Sequence, residues 1–181
     1  IALIISSFIM NQQKTFLGNY DLGYEDEQVL VVPTQYQRDQ RLQSAQMLRF
    51  FQQKLSQTPS VEHVAGATYS FTRGNAVGVI KHEKSGDPVF IYDYQVDRNY
   101  ISTLGIDLIA GSNFSSSTDG ESSGAIIVNE AFLKSLDIPM EDAIGLPLAQ
   151  SISNIQHPKI IGVVKDYHYK DLRRAIGPMM L

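Results

Sequence analysis

The 181-residue sequence contains no cysteine and no tryptophan. Without cysteine it has no disulfide framework, no thiolate zinc site and no cysteine nucleophile. Compartment is not fixed by this absence, because many envelope proteins also lack cysteine. Basic clusters are scarce as well. Fifteen Lys and Arg face nineteen Asp and Glu, for a net charge of −4. Apart from Arg173-Arg174 the basic residues are scattered singly, which argues against nucleic acid as a partner. No G-x-x-x-x-G-K-[ST] loop and no G-x-G-x-x-G turn is present, so nothing is built to cradle nucleotide phosphate. The G-x-S-x-G elbow of serine nucleophiles is missing too, as is any H-E-x-x-H metal motif. There is no internal repeat. Beyond Ile1–Met10, no apolar run approaches the roughly 20 residues of a full membrane span.

A hydrophobic content of 43% and a charged content of 19% suit a folded body of one domain, or two small ones sharing a core. The first ten residues, IALIISSFIM, are apolar at eight positions and uncharged throughout. As a helix they would rise about 15 Å, half of a bilayer core about 30 Å thick. They read as the outgoing half of a transmembrane helix. Polarity then switches at Asn11-Gln12-Gln13-Lys14, as a chain leaving hydrocarbon requires. A buried strand or short core helix is the alternative. A signal-peptide core fits less well, because no small-x-small cleavage site follows.

Leu22-Gly23-Tyr24 reads as a turn into Gln28–Pro33, an apolar, β-branched run expected to be a buried strand. Leu48, Phe51 and Leu55 recur at helical spacing within Arg41–Gln57, an amphipathic helix ended by Thr58-Pro59. Val61–Tyr69 reads as a second strand, so residues 28–69 form a β-α-β unit. The texture changes near residue 70. Val77–His82 and Val89–Val96 alternate like antiparallel strands, joined by Lys84-Ser85-Gly86-Asp87-Pro88. Asn99 is expected to cap a helix over Tyr100–Leu104 that Gly105 ends. Asp107–Ala110 reads as a brief strand closed by Gly111. Ser115–Ser123 is a polar loop. Gly124–Val128 is a strand followed by a helix from Asn129 to about Leu136. Lys159–Val164 is the strongest strand of this half, and Lys170–Arg174 reads as one helical turn. The expected core is Ile126, Val128, Phe132, Leu133, Ile160, Ile161 and Val163.

Among the four histidines, only His168 has a close acidic partner, Asp166. On a strand, a spacing of two puts both side chains on one face, where they could hold a metal or orient a base. The sequence offers no further ligand cluster, and a pair hydrogen-bonded to local backbone is the plainer reading. Thr72-Arg73-Gly74-Asn75 reads as a polar loop rather than an anion site. Glu130 suits the N-terminus of its helix. Asn113-Phe114-Ser115 matches a glycosylation sequon of a kind common by chance. No residue stands out as catalytic, cofactor-binding or metal-binding.

The order of these pieces resembles the extracytoplasmic domain of MacB/FtsX-type ABC transporter permeases, in versions common among Bacteroidetes-type bacteria. The resemblance is carried by the apolar N-terminal segment with its Gln-rich exit and by Asp21-Leu22-Gly23-Tyr24. It continues through Gln28–Pro33, Val96-Asp97, Tyr100-Ile101, Leu104-Gly105-Ile106 and Gly111-Ser112-Asn113-Phe114. Ala125–Asn129 with Glu130-Ala131, then Ile144-Gly145, lead to Ile161–His168 with Leu172 and Pro178. The resemblance implies an α+β fold in which a β-α-β porter-like subdomain is interrupted by a mostly β sabre-like subdomain. Residues 1–13 would end a first transmembrane helix, 14–69 and 170–181 would be porter-like, with the second part truncated, and 70–169 would be the sabre-like insertion. Gly162 would serve close backbone approach, Val163 and Val164 the core, and Asp166 a turn. The implied role is non-enzymatic and needs no cofactor. It would couple ATP hydrolysis by an ABC ATPase subunit or domain to periplasmic export, efflux or signalling, by mechanotransmission. Implied partners are a second permease copy, a periplasmic adaptor or substrate protein, and the bacterial inner membrane through the N-terminal helix. Two other readings stand beside it. One is a membrane-anchored ligand-binding or metal-dependent enzyme domain using Asp166 and His168. The other is an FtsX-like regulator of a cell-wall hydrolase.

Overall fold

The computed structural model describes residues 2–18, 20–34, 41–70, 76–115, 124–152, 155–170, 172 and 174–181. Two long helices come first, α1 (Ala2–Gly18) and α2 (Arg41–Leu55). They are followed by β1 (Ala76–Lys81), β2 (Pro88–Asp93), α3 (Tyr100–Thr103), β3 (Leu108–Gly111) and β4 (Ala125–Asn129). The chain continues through α4 (Glu130–Ser135), α5 (Met140–Ala143), β5 (Lys159–Val164) and β6 (Met179–Met180). The fold class is α+β. Its six strands form one mixed sheet in the order β1-β2-β6-β4-β5-β3. β1/β2, β3/β5 and β4/β6 are antiparallel, whereas β4/β5 and β2/β6 are parallel. β4 and β5 are thus linked by a crossover that carries α4 and α5.

Both faces of the central strands are covered, which accounts for continuous apolar runs such as AIIV in β4. Ile126, Val128, Phe132, Leu133, Ile160 and Val163 lie in one core, with Ile80, Ile91 and Met180. Ile127 and Val164 lie in a second core, with Tyr94, Tyr100, Tyr167, Tyr169 and Met179. Ile161, expected beside Ile160, is only half-buried and packs on this second side. Strand alternation alone sets Ile161 on the face opposite Ile160. The β4/β5 register then slips between Ile126–Ile160 and Ile127–Gly162, a bulge that returns Val163 to the face of Ile160 and leaves Val164 on that of Ile161.

Several expectations are corrected. Gln28–Pro33 forms no strand: it runs as irregular chain, with Leu30 86% exposed and Val31 and Val32 also exposed. β-Branched composition favours a pleated conformation, but a strand also needs a neighbouring edge to bond, and no described residue supplies one. Val61–Tyr69 likewise makes no ladder; Ala67 forms a single bridge with Val96. α2 between them has the expected period, with Leu48, Phe51 and Leu55 half-buried. Asn99 does not cap α3 through its side chain. Asp97 does that work instead, its Oδ1 accepting from Asn99 N–H (3.1 Å) and its carbonyl from Tyr100 N–H (3.2 Å). Asp166 and His168 lie beyond the end of β5, not on a strand. Lys170, Leu172 and Arg174 are not helical, and residues 171 and 173 lie outside the described residues. Thr72-Arg73-Gly74-Asn75 and most of Ser115–Ser123 lie outside them as well.

α1 continues past the apolar stretch to Gly18, with Leu3, Ile4, Phe8 and Met10 each more than half exposed. Among the described residues, no helix is long and apolar enough to cross a membrane.

Candidate functional site

Several of the residues that carry the family resemblance meet at one junction beside the C-terminal ends of β4 and β5. Asn129 is its centre. It is fully buried, and its amide makes four hydrogen bonds. Oδ1 accepts from Phe132 N–H (3.0 Å), which caps α4, and from Met179 N–H (2.8 Å), which anchors β6. Nδ2 donates to Asp166 Oδ1 (2.7 Å) and to the Gly177 carbonyl (3.0 Å). A buried amide is stable only when so satisfied, and here one side chain ties together three segments distant in sequence.

Asp166 extends the junction. Its Oδ1 also accepts from Ala131 N–H (2.9 Å) in the first turn of α4. Its own N–H donates to Glu130 Oε2 (3.0 Å). Burial raises the Asp166 carboxyl above the usual aspartate range, and the Glu130 charge adds to the rise; the Ala131 N–H and Asn129 oppose it. Asp166 is therefore a connector to a helix start rather than a residue of a turn. The Glu130 carboxylate thus lies beside that of Asp166, a neighbour that its position in the sequence did not reveal.

The next residues dock the N-terminal part. His168 N–H donates to the Leu22 carbonyl (2.8 Å). Gly23 adopts φ +78°, and a Cβ there would stand 2.9 Å from Tyr167 Cβ, so only glycine allows this approach without displacement. Glu25 N–H donates to the Leu104 carbonyl (2.8 Å). The His168 ring meets Tyr20 edge-on at 5.3 Å. Asp166 and His168 thus engage different neighbours. Among the described residues no group of three or more His, Asp or Glu is placed to hold a metal ion.

Around the junction lies a nest of tyrosines that the sequence reading missed. Tyr167 stacks edge-on with Tyr24 (6.2 Å) and Tyr169 (6.0 Å). Tyr169 meets Tyr92 (5.3 Å) and Tyr94 (5.9 Å), and Tyr94 meets Tyr69 (6.4 Å). The signal was present in two Tyr-x-Tyr patterns, Tyr92-Asp93-Tyr94 and Tyr167-His168-Tyr169, since a spacing of two places both rings on one side of extended chain. Burial raises the ionisation of Tyr94, Tyr100, Tyr167 and Tyr169, so all four stay neutral phenols at physiological pH. Tyr169 donates to the Gly177 carbonyl (3.1 Å), and the Lys170 ammonium sits 3.5 Å above the Tyr92 ring. A shallow hollow of about 30 Å³ opens here between Tyr92, His168, Lys170 and Arg174.

A second junction joins α2 to the sheet-bearing part. Gln52 Nε2 donates to Asp97 Oδ2 (2.8 Å) and to the Val64 carbonyl (3.2 Å), which Asn99 Nδ2 also reaches (3.0 Å). Burial raises the Asp97 carboxyl, against hydrogen bonds involving Gly66, Asn99 and Gln52. Gly66 sits under Leu48, where a Cβ would collide with its methyl groups. Both junctions are hydrogen-bonded joints of structure; the first is centred on a buried amide and lined by neutral phenols, and the second is half-buried.

Comparison with known proteins gives structural neighbours but no sequence match. No family model matches the chain, and no curated protein sequence matches it significantly. The periplasmic region of MacB from Actinobacillus actinomycetemcomitans is similar over 73% of this chain, at 14% identity and a TM-score of 0.47. The extracellular domain of the noncanonic ABC-type transporter YknZ from Gram-positive bacteria is similar over 71%, at 17% identity and a TM-score of 0.47. The matches span 62% and 57% of those two chains.

Proposed function

We propose that this chain is a non-catalytic extracytoplasmic domain of an ABC transporter permease, coupling ATP-driven motion at the membrane to export or signalling outside it. One observation carries the reading. The sequence pieces that resemble MacB/FtsX-type permeases are far apart in the chain, yet Gly23, Asn129, Glu130, Asp166, Tyr167 and His168 meet at one hydrogen-bonded junction. The partners that follow are an ABC ATPase, a second permease copy and a periplasmic adaptor or substrate protein. The location that follows is the bacterial inner membrane, with this domain in the periplasm and α1 on the membrane side. In this reading α1 moves with the membrane helices. Its displacement is taken up as hinge motion at the Leu22–His168 crossing, beside the Asn129 junction, because packed elements move as rigid bodies about short hinges.

The test uses the intact transporter carrying Leu22→Cys and His168→Cys, in a chain with no native cysteine to interfere. Crosslinking this pair is expected to uncouple ATP turnover from transport or signalling, with reduction restoring it. Normal coupled activity in the crosslinked state would show that motion at this crossing is not the mechanism.

A further inference from the structure

β1 ends the sheet, and its register shows which backbone groups face outward. Tyr92 and Tyr94 direct their N–H groups across β2 to Pro178 and Met180, at 2.9 and 3.0 Å. The alternate residues Val89, Ile91 and Asp93 therefore face β1, opposite Ile80, Gly78 and Ala76. That leaves the N–H and C=O groups of Val77, Val79 and Lys81 directed away from the sheet. At Lys81 the consequence is visible. The Gln150 side-chain amide accepts from Lys81 N–H (2.9 Å) and donates to the Lys81 carbonyl (2.6 Å), the pair of bonds that a neighbouring strand would make. Among the described residues nothing equivalent covers Val77 or Val79.

The side chains beside this open edge are also uncovered. Val77 is 49% exposed, Val79 50% and the cross-strand Phe90 60%. Sheets guard their edges with charge, proline, bulges or shortness. β3, at the other end of the sheet, is four residues long with an irregular register. β1 is six residues long and carries one charge, at its Lys81 end.

We infer that β1 is a strand-addition site and that its occupant is β1 of a second copy of this chain, paired antiparallel about a two-fold axis through Gly78. Three features of the edge are self-complementary. Pairing about Gly78 sets Val77 opposite Val79 of the second copy, and both outward-facing residues exchange both bonds. Gly78 then meets Gly78, in the pair class where Cα atoms approach to about 4.5 Å, and neither has a side chain to collide. Gln150 closes the edge at Lys81, so the open window is centred on Gly78. The two strips of Val77, Val79 and Phe90 become continuous. The two Lys81 ammoniums stand about 20 Å apart along the ladder, beyond the roughly 8 Å Debye length, and do not oppose the pairing. A window this short falls below the roughly 1,200 Å² of standard stable interfaces, so the dimer is weak in solution and favoured where two copies are held together. The inference rests on sheet geometry and not on the transporter reading, so either can fail alone.

Sedimentation of the full 181-residue chain over a concentration series tests it, with thiol crosslinking as a second reading. The expected result is a monomer–dimer equilibrium. Val79→Pro removes an outward N–H and leaves the β2 ladder intact, and should raise the dissociation constant about tenfold or more with an unchanged melting curve. Should Val79→Pro unfold, Val77→Lys at an exposed side chain gives the same reading. Val77→Cys mixed with Val79→Cys should crosslink far better than either protein alone, because residue 77 faces residue 79. A chain that stays monomeric throughout, a dimer unaffected by either substitution, or capture of an unrelated extended segment by a monomeric chain would each overturn the inference.

Discussion

At the residue scale the protein depends on a few polar and small side chains in places where nothing else fits. Asn129 serves four backbone or side-chain partners from a fully buried position. Asn129→Ala would strand the Phe132 and Met179 N–H groups and uncap α4. The expected loss is about 2–4 kcal/mol, read by denaturant unfolding. Gly162 marks a close strand approach, with a Cβ there only 2.7 Å from the Ser112 carbonyl oxygen. Gly162→Ala should cost about 1–3 kcal/mol, since the contact is to backbone and cannot move aside. Asp166 gives a pH prediction. Its folded-state ionisation lies above the ordinary value of 3.8, so the stability it contributes is full below that value and is lost as pH rises through the higher folded value. Asp166→Asn retains an acceptor oxygen and removes the charge. Its melting temperature relative to wild type should therefore climb as pH rises from about 4 toward neutrality. A difference that stayed flat across that range would mean the Asp166 charge is not strained.

At the element scale the sheet between two cores is the unit of stability, and α1 stands apart from it. Ile127 is fully buried in the tyrosine-rich core, whereas Ile161 is half-buried on the same side. Ile127→Ala should cost about 2–5 kcal/mol and Ile161→Ala about half that, a ranking opposite to one based on hydrophobic runs alone. Urea unfolding of the two variants checks it. α1 exposes Leu3, Ile4, Phe8 and Met10. Deleting residues 1–11 should leave the melting temperature within about 2 °C and raise solubility, since little apolar surface is buried between α1 and the sheet. Loss of folding on deletion would make α1 a core element.

At the scale of the whole molecule, the two junctions explain how pieces remote in sequence act as one body. The Asn129 junction holds β4, α4, the loop after β5 and β6 together. Gln52 and Asp97 hold α2 against the segments at Val64 and Asn99. Gln52→Ala should loosen α2 without unfolding the sheet, which faster amide exchange confined to residues 41–55 would report. If exchange quickened throughout the sheet instead, α2 and the sheet would form one cooperative unit.

Much of the sheet-bearing half was readable from residues alone. Alternating apolar positions marked β1 and β2, continuous apolar runs marked β4 and β5, and Asn129 announced the start of α4. These signals are local: period, propensity and caps act over a few residues and hold wherever the chain goes. The positive φ of Gly23 and Gly111 was likewise in keeping with glycine at turns. Other outcomes required the folded chain. Gln28–Pro33 has the composition of a strand, but pairing is a relation between two segments, and composition states only one of them. Val163 shares a face with Ile160, three residues before it, because a bulge against β4 added a residue to the count. Asn129 was visible as a cap, while its grip on Asp166, Gly177 and Met179 exists only because residues 37, 48 and 50 positions away arrive beside it. Local physics set the elements; their partners, faces and joints were decided by which distant backbone groups came close enough to be satisfied.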